Sequence, residues 1–167
     1  MIHALYPGTF DPATFGHVDI ANRAKGLFSK LTIAVYETPP TKNILFSIEE
    51  RLDMMKKAVG HLDNVDVISY SCLTIELAKK IGAKVLIRGL RMGSDFDYEF
   101  ELSLMNRKMA PELDTVCLMT SQEYEFVSSS LIKEMAKLGG ALKEFVPEHV
   151  AIALKGKYNQ LGQVTQT

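Results

Sequence analysis

The chain has few cysteines and no grouped metal ligands. Its 167 residues include only Cys72 and Cys117, which form no Cys-x-x-Cys pair, and its four histidines have no zinc-ligand spacing. We therefore expect neither a disulfide framework nor a metal site built from side chains. This cysteine usage is typical of a reduced protein of the cytoplasm.

An excess of one charge and long apolar runs are also lacking. The formal net charge of −1 gives no general attraction to nucleic acid or to an anionic membrane. The first apolar stretch ends at Pro7, which is too early for a signal peptide, and no later run has membrane length. We expect no nucleic acid and no membrane as partners, so an anionic ligand would need a local cluster of donors.

The motifs of several common enzyme classes are missing. Gly8-Thr9-Phe10 is not followed by the Gly-Lys-Ser/Thr of a P-loop, and the first turn has no Gly-x-Gly-x-x-Gly. There is no Gly-x-Ser-x-Gly elbow and no carboxylate pair placed as acid and base. These absences argue against a P-loop kinase, a nicotinamide dehydrogenase and covalent catalysis.

The composition fits one compact domain. Hydrophobic residues make up 47% of the chain and charged residues 23%, and no repeat or linker composition appears. We predict one domain over residues 1–156, followed by a frayed polar tail over 157–167.

Strand-like and helix-like segments alternate along the chain. Short apolar runs rich in β-branched residues predict five buried strands. These are Ile2–Tyr6, Leu31–Tyr36, Val65–Ser69, Lys84–Arg88 and Thr115–Met119. The alternation predicts an α/β fold with a doubly wound, five-stranded parallel sheet of order 3-2-1-4-5.

Helix starts are well marked. Apolar spacing predicts a first helix over Val18–Phe28, with His17 one turn earlier on the apolar stripe. Ser47 and Glu50 predict a capping box, and Ser94 with Asp97 predicts a looser one. Two further helices are expected to begin within the serine run 128–130 and near Pro147.

Candidate ligand-binding residues follow all five strands. The carboxyl ends of parallel strands meet at one edge, and ligands bind where the strand order reverses, here between strands one and four. The residues that follow the strands, in chain order, are Thr9 and His17, then Lys42, then Thr74, then Arg88 to Arg91, then Ser128 to Ser130.

Residues 6–17 predict phosphate binding. A strand, a glycine turn and a helix start together present N–H groups and a positive helix dipole to an anion. The helix terminus lowers the expected pKa of His17, which favours a neutral imidazole that donates to a phosphate. Arg88 ends a buried apolar run, where an unpaired guanidinium would be costly, so it requires an anionic partner.

Each of these residues also has a purely structural explanation. His17 suits a role in capping or packing, Lys42 suits an ordinary loop, and the serine run suits a helix N-cap. Tyr98 is interpreted as a core aromatic and is left out of the site.

The Thr14-Phe15-Gly16-His17 box resembles the signature of the nucleotidylyltransferase superfamily. Further segments resemble bacterial phosphopantetheine adenylyltransferases over about residues 1–155. They are Tyr6 to Asp11, Lys42, Phe46 to Arg51, Leu86 to Arg91, Asp95 to Glu99 and Phe126 to Lys133. Lys133, where other branches have arginine, resembles this branch in particular.

The resemblance implies adenylyl transfer from ATP to 4′-phosphopantetheine, giving dephospho-coenzyme A and pyrophosphate. It implies catalytic roles for His17, Lys42 and Arg88, and acceptor contacts from Thr9, Lys42, Thr74 and Arg88. It implies ATP contacts from Thr9, Phe10, His17, Gly89, Leu90, Arg91, Glu99, Tyr124, Glu125, Phe126, Val127, Ser128, Ser129 and Ser130. It also implies Mg²⁺ carried mainly by ATP phosphates, a homohexamer and inhibition by coenzyme A.

Two other functions remain open from the residues alone. The box fits a nucleotidylyltransferase with another small acceptor, such as nicotinate mononucleotide, although Lys42 with Leu86 to Arg91 argues against it. A non-catalytic nucleotide or coenzyme A sensor is the second alternative. Cys72, Thr74 and Asn43 depart from the usual family pattern at the acceptor end of the site.

Overall fold

A five-stranded parallel sheet of order β3-β2-β1-β4-β5 forms the centre of the molecule. The computed structural model describes residues 1–39, 43–91 and 93–162, with no account of the side chains of residues 93 and 94. The predicted fold class and strand order are confirmed. Within the described ranges, no helix is both long and apolar enough to cross a lipid bilayer.

The strands lie close to their predicted positions. Their bounds are β1 His3–Gly8, β2 Lys30–Tyr36, β3 Val65–Tyr70, β4 Val85–Leu90 and β5 Asp114–Met119. The first strand runs through Pro7 to Gly8, which pairs with Val35, so the loop begins later than the sequence predicted. The fixed φ of proline fits an extended strand, which is why Pro7 does not end it.

Two helices cover one face of the sheet. They are α1 (Phe15–Leu27) and α2 (Ile48–Val59). Ile20 and Ala24 from α1 and Met55 from α2 pack with Ile33 and Ile87 of the strands. Tyr6 belongs to this same apolar cluster.

The opposite face carries α3 (Thr74–Ile81) and α4 (Gly93–Met109). Leu77 of α3 packs with Leu5 and Leu86 of the sheet, together with Leu113, which follows α4. Arg88 lies two residues after Leu86 on β4 and therefore points to the α4 side.

The last two helices form a third packed unit. Helices α5 (Ser129–Lys137) and α6 (Glu148–Gln160) bury Ile132 and Leu154 against Phe46 and Met54, which come from the start of α2 and from α2 itself. The predicted frayed tail is wrong at its beginning, because α6 continues to Gln160 and Lys157 pairs with Glu50.

Two helix starts differ from their predictions. Helix α1 begins at Phe15, with Thr14 as its N-cap, because His17 takes the place that Glu or Gln usually has in a capping box. Helix α4 begins at Gly93, one residue before the predicted cap Ser94. The predicted capping box of Ser47 and Glu50 is confirmed.

Candidate active site

A cleft of about 610 Å³ opens at the carboxyl edge of the sheet, where the strand order reverses. Most of the predicted site residues line it, and they come from the ends of β1 and β4 and from α1, α4 and α5. They are Thr9, Phe10, His17, Arg88, Gly89, Arg91, Glu99, Val127, Ser128, Ser129 and Ser130.

Other predicted residues do not line this cleft. Thr74, Leu90, Tyr124, Glu125 and Phe126 are outside its wall. Lys42 lies outside the described residues.

These residues have neighbours of their own. The Thr74 hydroxyl hydrogen-bonds to the Tyr70 phenol at 3.1 Å. The Tyr124 ring packs on Phe15 with centroids 5.9 Å apart. A ligand would have to extend beyond the cleft to contact them.

The loop after β1 is shaped by Phe10. Its φ of +49° is left-handed, which is uncommon for a residue with a side chain and occurs mainly at sites that the surrounding packing holds in place. Its ring folds back over Gly8, where a Cβ would lie only 2.7 Å from a ring carbon. Gly8 is thus required for Phe10 to pack edge-on against the imidazole of His17, with centroids 5.0 Å apart.

The imidazole of His17 is oriented by Thr14. Its Nδ1 lies 3.0 Å from the Thr14 backbone N–H, which donates to it, and 3.0 Å from the Thr14 hydroxyl. A backbone N–H is only a donor, so Nδ1 must hold a lone pair and the ring proton must be on Nε2. The neutral Nε2–H tautomer is the donor that the sequence predicted, in a ring that lines the cleft.

The first turn of α1 has one N–H group left for a ligand. The Phe15 N–H donates to the Phe145 carbonyl at 2.9 Å, and the His17 N–H points to Thr14. In the described chain, the Gly16 N–H has no acceptor, and Gly16 lines the cleft. The anion site expected at this helix start therefore offers fewer backbone N–H donors than the full first turn of a helix would.

Arg88 has its anionic partner within the protein. Its Nε and Nη2 donate to the two oxygens of Glu99 at 2.6 Å each, and Nη1 donates to the Pro7 carbonyl at 3.1 Å. Burial lowers the pKa of Arg88, but the hydrogen bonds and charge of Glu99 outweigh it and hold that pKa above its ordinary value. Both terminal nitrogens keep a further N–H for a phosphate oxygen.

Two more cations of the cleft are paired in the same way. Arg91 donates through Nε and Nη2 to the two oxygens of Asp95, at 3.0 and 3.1 Å. Lys133 donates to Asp11 at 2.7 Å and to the Asn43 carbonyl at 3.1 Å. A ligand would thus meet cations whose charge is already partly balanced.

Asp11 connects the first loop to the start of α2. It is 4% exposed, and its two carboxylate oxygens accept from the N–H groups of Leu45 and Phe46 at 2.9 and 3.0 Å. Together with Lys133 from α5, Asp11 ties residues 43–46 to the cleft wall. Asp11 lies in the segment 6–17 that the sequence indicated for phosphate binding, but this linking role was not predicted.

Arg51 was also missed. It is 1% exposed, and its guanidinium donates to four backbone carbonyls at distances of 2.6–3.1 Å. The carbonyls belong to Thr9, Tyr36, Glu37 and Phe46. Burial lowers its pKa, which nearby carboxylates partly restore. Arg51 holds together the ends of β1 and β2 and the start of α2.

The serine run combines a cap with open donors. The Ser128 hydroxyl accepts from the Leu131 N–H at 3.2 Å, as an N-cap does, and the Ser129 hydroxyl donates to the Pro12 carbonyl at 2.8 Å. Neither Ser129 nor Ser130 donates its N–H within the described chain. Both the structural and the ligand-binding interpretation of this run therefore remain valid.

The interpretation of Tyr98 as a core aromatic is wrong. Its side chain is 63% exposed and lines the cleft. Other lining residues that the prediction did not include are Tyr6, Pro7, Gly8, Asp11, Thr14, Gly16, Ile20, Asn43, Asp95, Thr120 and Lys133. Most of them lie in the segments 6–17, 95–99 and 126–133 that the sequence indicated, where no role was predicted for the individual residue.

Most carboxylates and histidines in the described part of the chain lie too far apart to share a metal ion. Across the described residues, no group of three or more His, Cys, Asp or Glu could hold a metal ion. The carboxylates that line the cleft accept hydrogen bonds from Arg88, Arg91 and Lys133. A cation brought by a phosphate ligand would keep its phosphate and water ligands.

Comparison with known proteins gives three consistent likenesses. A family model described as cytidylyltransferase-like matches residues 5–135. The phosphopantetheine adenylyltransferase of Caldanaerobacter subterraneus subsp. tengcongensis is 48% identical over 157 residues, which cover 94% of this chain and 98% of that protein. The protein of the same name from Thermomicrobium roseum is 51% identical over 160 residues, covering 95% of this chain and 96% of that protein.

A solved structure shares the fold. Plasmodium falciparum nicotinic acid mononucleotide adenylyltransferase complexed with NaAD superposes with a TM-score of 0.68 over 96% of this chain and 97% of that one. The two sequences are 14% identical, so this likeness supports the fold alone.

Proposed function

The chain belongs to the phosphopantetheine adenylyltransferase family, and from that membership we propose how it transfers the adenylyl group of ATP to 4′-phosphopantetheine. The acceptor phosphate attacks the α-phosphorus in line, pyrophosphate leaves and dephospho-coenzyme A forms. The observation that carries the proposal is that His17, Arg88 and the N-terminus of α5 line one cleft.

His17 is the proposed donor to the α-phosphate. Thr14 fixes its tautomer, so the Nε2–H can donate without a proton being taken up first. Negative charge that develops on the α-phosphoryl oxygens would be stabilised by this fixed donor and by the Gly16 N–H. No side chain has to become charged during the reaction.

The acceptor phosphate is proposed to bind Arg88, Lys42 and Thr9. Arg88 offers N–H groups that Glu99 and Pro7 leave available, and Thr9 lies on the same cleft wall. The assignment of Lys42 and Thr74 rests on the family resemblance. Because a phosphate nucleophile is already an anion, no general base is required, and none is proposed.

The ATP side of the cleft is proposed to run from Gly89 to the start of α5. The open N–H groups of Ser129 and Ser130 and the α5 dipole suit the β- and γ-phosphates. Contacts from Phe10, Leu90, Arg91, Tyr124, Glu125, Phe126, Val127 and Ser128 are proposed from the family resemblance. Glu99 is proposed to act through Arg88, since both of its oxygens are bonded there.

Mg²⁺ is proposed to enter as part of the ATP substrate. The carboxylates of the cleft already pair with cationic side chains, so they compete poorly with triphosphate oxygens for the ion. The expected cation requirement is therefore that of Mg–ATP.

The activity and its acceptor are tested by pyrophosphate release. The purified protein is supplied with Mg–ATP and, separately, with 4′-phosphopantetheine, pantetheine, nicotinate mononucleotide and a phosphorylated alcohol. Release only with 4′-phosphopantetheine supports the proposal. Release with another acceptor identifies a different nucleotidylyltransferase, and ATP binding without release with any acceptor identifies a sensor.

A homohexamer is proposed as the assembly. Helix α4 exposes an unusual number of large apolar side chains, namely Phe96, Tyr98, Phe100, Leu104, Met105 and Met109. Such a surface on a soluble protein commonly marks an interface. Met54 and Met55, by contrast, are buried in the core. Light scattering coupled to size exclusion measures the mass directly.

Inhibition by coenzyme A and a cytoplasmic location complete the proposal. Coenzyme A contains the product's adenylyl and pantetheine parts, so it would compete for the same cleft, which the pyrophosphate assay with added coenzyme A tests. Both cysteines are free and exposed, in keeping with a reducing compartment. Fractionation of cells tests the location.

A further inference from the structure

Tyr6 is a buried tyrosine at the base of the cleft. It lies on the central strand β1 and is 4% exposed, yet it forms part of the cleft wall. Its ring meets Phe10 edge-on with centroids 5.4 Å apart, and Phe10 in turn meets His17. Three rings thus lead from the base of the cleft to the proposed catalytic imidazole.

The Tyr6 hydroxyl has no hydrogen-bond partner in the part of the chain that the structure describes. In that same part, no fully buried side-chain oxygen or nitrogen lacks a partner. The Tyr6 oxygen must therefore retain some accessible surface, and Tyr6 is part of the cleft wall. An almost buried phenol without a partner is costly, because its burial removes most of its water.

The position of the hydroxyl indicates the nucleotide half of the cleft. Tyr6 packs with Ile20 on the α1 side of the sheet, whereas Arg88 and Glu99 lie on the α4 side. The hydroxyl lies 3.8 Å from the point where a Cβ on Gly89 would be. Gly89, a proposed ATP contact, therefore lies beside the hydroxyl, and His17 lines the same cleft.

The phenol is a donor at neutral pH. Burial raises the pKa of Tyr6 well above its ordinary value, and Asp19 and Glu99 act in the same direction while Arg88 opposes them. A protonated phenol can satisfy an oxygen of a ligand without adding charge to the cleft.

We propose that the Tyr6 hydroxyl binds ATP, donating a hydrogen bond to an oxygen of its ribose or α-phosphate. This inference rests on the proposed function, which places ATP in this cleft. It adds a direct side-chain contact from within β1, in the segment 6–17 that the sequence indicated for phosphate binding.

The test is the removal of one oxygen atom. Tyr6→Phe keeps the ring and its packing on Phe10, so it isolates the hydroxyl. Calorimetric titration with Mg–ATP in the absence of acceptor is expected to show that Tyr6→Phe binds ATP about 3- to 10-fold more weakly than the wild type. This factor corresponds to the usual net free energy of one hydrogen bond. The KM for 4′-phosphopantetheine is expected to stay within about twofold, since the acceptor lies on the other side.

Tyr158→Phe is the matched control. Tyr158 is also a buried tyrosine, 6% exposed, but it packs in the α5–α6 unit and does not line the cleft. Its variant should bind ATP as the wild type does. Equal ATP affinity for wild type, Tyr6→Phe and Tyr158→Phe would overturn the proposal.

The stability of the ligand-free protein tests the same variant independently. If the hydroxyl has no internal partner, Tyr6→Phe should leave the urea midpoint of the ligand-free protein unchanged or raise it. A lowered midpoint would mean that the hydroxyl is bonded inside the protein, and the proposal would then be wrong.

Deoxynucleotides identify the acceptor atom. If the acceptor is a ribose hydroxyl, the deoxynucleotide that lacks it, 2′-deoxy-ATP or 3′-deoxy-ATP, will bind wild type and Tyr6→Phe with equal affinity. If the acceptor is a phosphate oxygen, both deoxynucleotides will still bind wild type more tightly than Tyr6→Phe. Because the calorimetry needs no turnover, it remains informative if the wild type releases no pyrophosphate. That result would remove the proposed activity but not the proposed contact.

Discussion

Arg51 provides the sharpest test of how the cleft is held together. Arg51→Met keeps much of the side-chain volume but leaves the carbonyls of Thr9, Tyr36, Glu37 and Phe46 without their donor. Before opposing costs are subtracted, four hydrogen bonds from a charged group contribute about 6–12 kcal/mol to the free energy of unfolding. The variant also avoids the desolvation of a guanidinium, which costs several kcal/mol. The net loss of unfolding free energy should therefore be about 3–5 kcal/mol.

The assay is urea unfolding, with thermal unfolding as a second measurement. For a chain of this length, a loss of that size lowers Tm by about 6–20 °C. Arg51→Lys, which retains the charge with fewer directed donors, should fall between the wild type and Arg51→Met. The control is Arg107→Met, because Arg107 is 70% exposed and 3.7 Å from Asp114, so its loss should cost less than about 0.5 kcal/mol. Equal stability of Arg51→Met and Arg107→Met would refute the reasoning.

Three further predictions concern catalysis and pH. His17→Ala should lower kcat in the pyrophosphate assay by about 10²- to 10³-fold with an unchanged circular dichroism spectrum. Glu99→Gln should lower kcat/KM by about 10- to 100-fold, mostly through kcat, because Arg88 loses the carboxylate that orients it. Burial, with help from the charge of a nearby lysine, lowers the pKa of His3 below its ordinary 6.5, so the unfolded chain takes up the proton first as the pH falls. The urea midpoint should therefore fall as the pH drops below about 6.5, and His3→Gln should reduce that fall.

Two of these predictions have a matched control within the chain. His61→Gln replaces an exposed histidine and should keep the full pH dependence of the wild type. Asp66→Asn removes an exposed carboxylate at the other end of the sheet and should leave kcat/KM unchanged. Wild-type turnover in a folded His17→Ala protein, a Glu99→Gln enzyme that matches Asp66→Asn, or a pH profile that His3→Gln does not alter would each contradict its own prediction.

Local patterns were sufficient to predict the sheet and the position of the cleft. Buried strands such as β2 are nearly continuous apolar runs, and their alternation with helices restricts the topology to few choices. The same patterns failed to predict the start of α1, because His17 takes the place of the Glu or Gln that usually marks a capping box. Helical spacing also could not separate Met55, which is buried, from Met105, which is 61% exposed, because tertiary packing decides that difference.

The residues that hold the cleft together were not predictable from the sequence. In the sequence alone, Arg51 looks like another charged residue on an amphipathic helix. Its role depends on partners that are distant in sequence, such as the carbonyl of Thr9, which lies 42 residues away. Asp11 and Lys133 are 122 residues apart. Such pairs carry no periodic signal, because they depend on how loops meet after the sheet has formed.

The paired charges of the cleft suggest how it favours the transition state. Each cationic Arg or Lys side chain described in its wall has a carboxylate partner, the pairs being Arg88 with Glu99, Arg91 with Asp95 and Lys133 with Asp11. Pairing reduces the general attraction for a triphosphate, so it limits how tightly the ground state is bound. It also fixes each cation in one orientation, and Arg88, held on both oxygens of Glu99, cannot turn to follow a misplaced substrate. Donors fixed in this way stabilise charge most where it develops during the reaction, and this is why losing Glu99 should reduce kcat more than it raises KM.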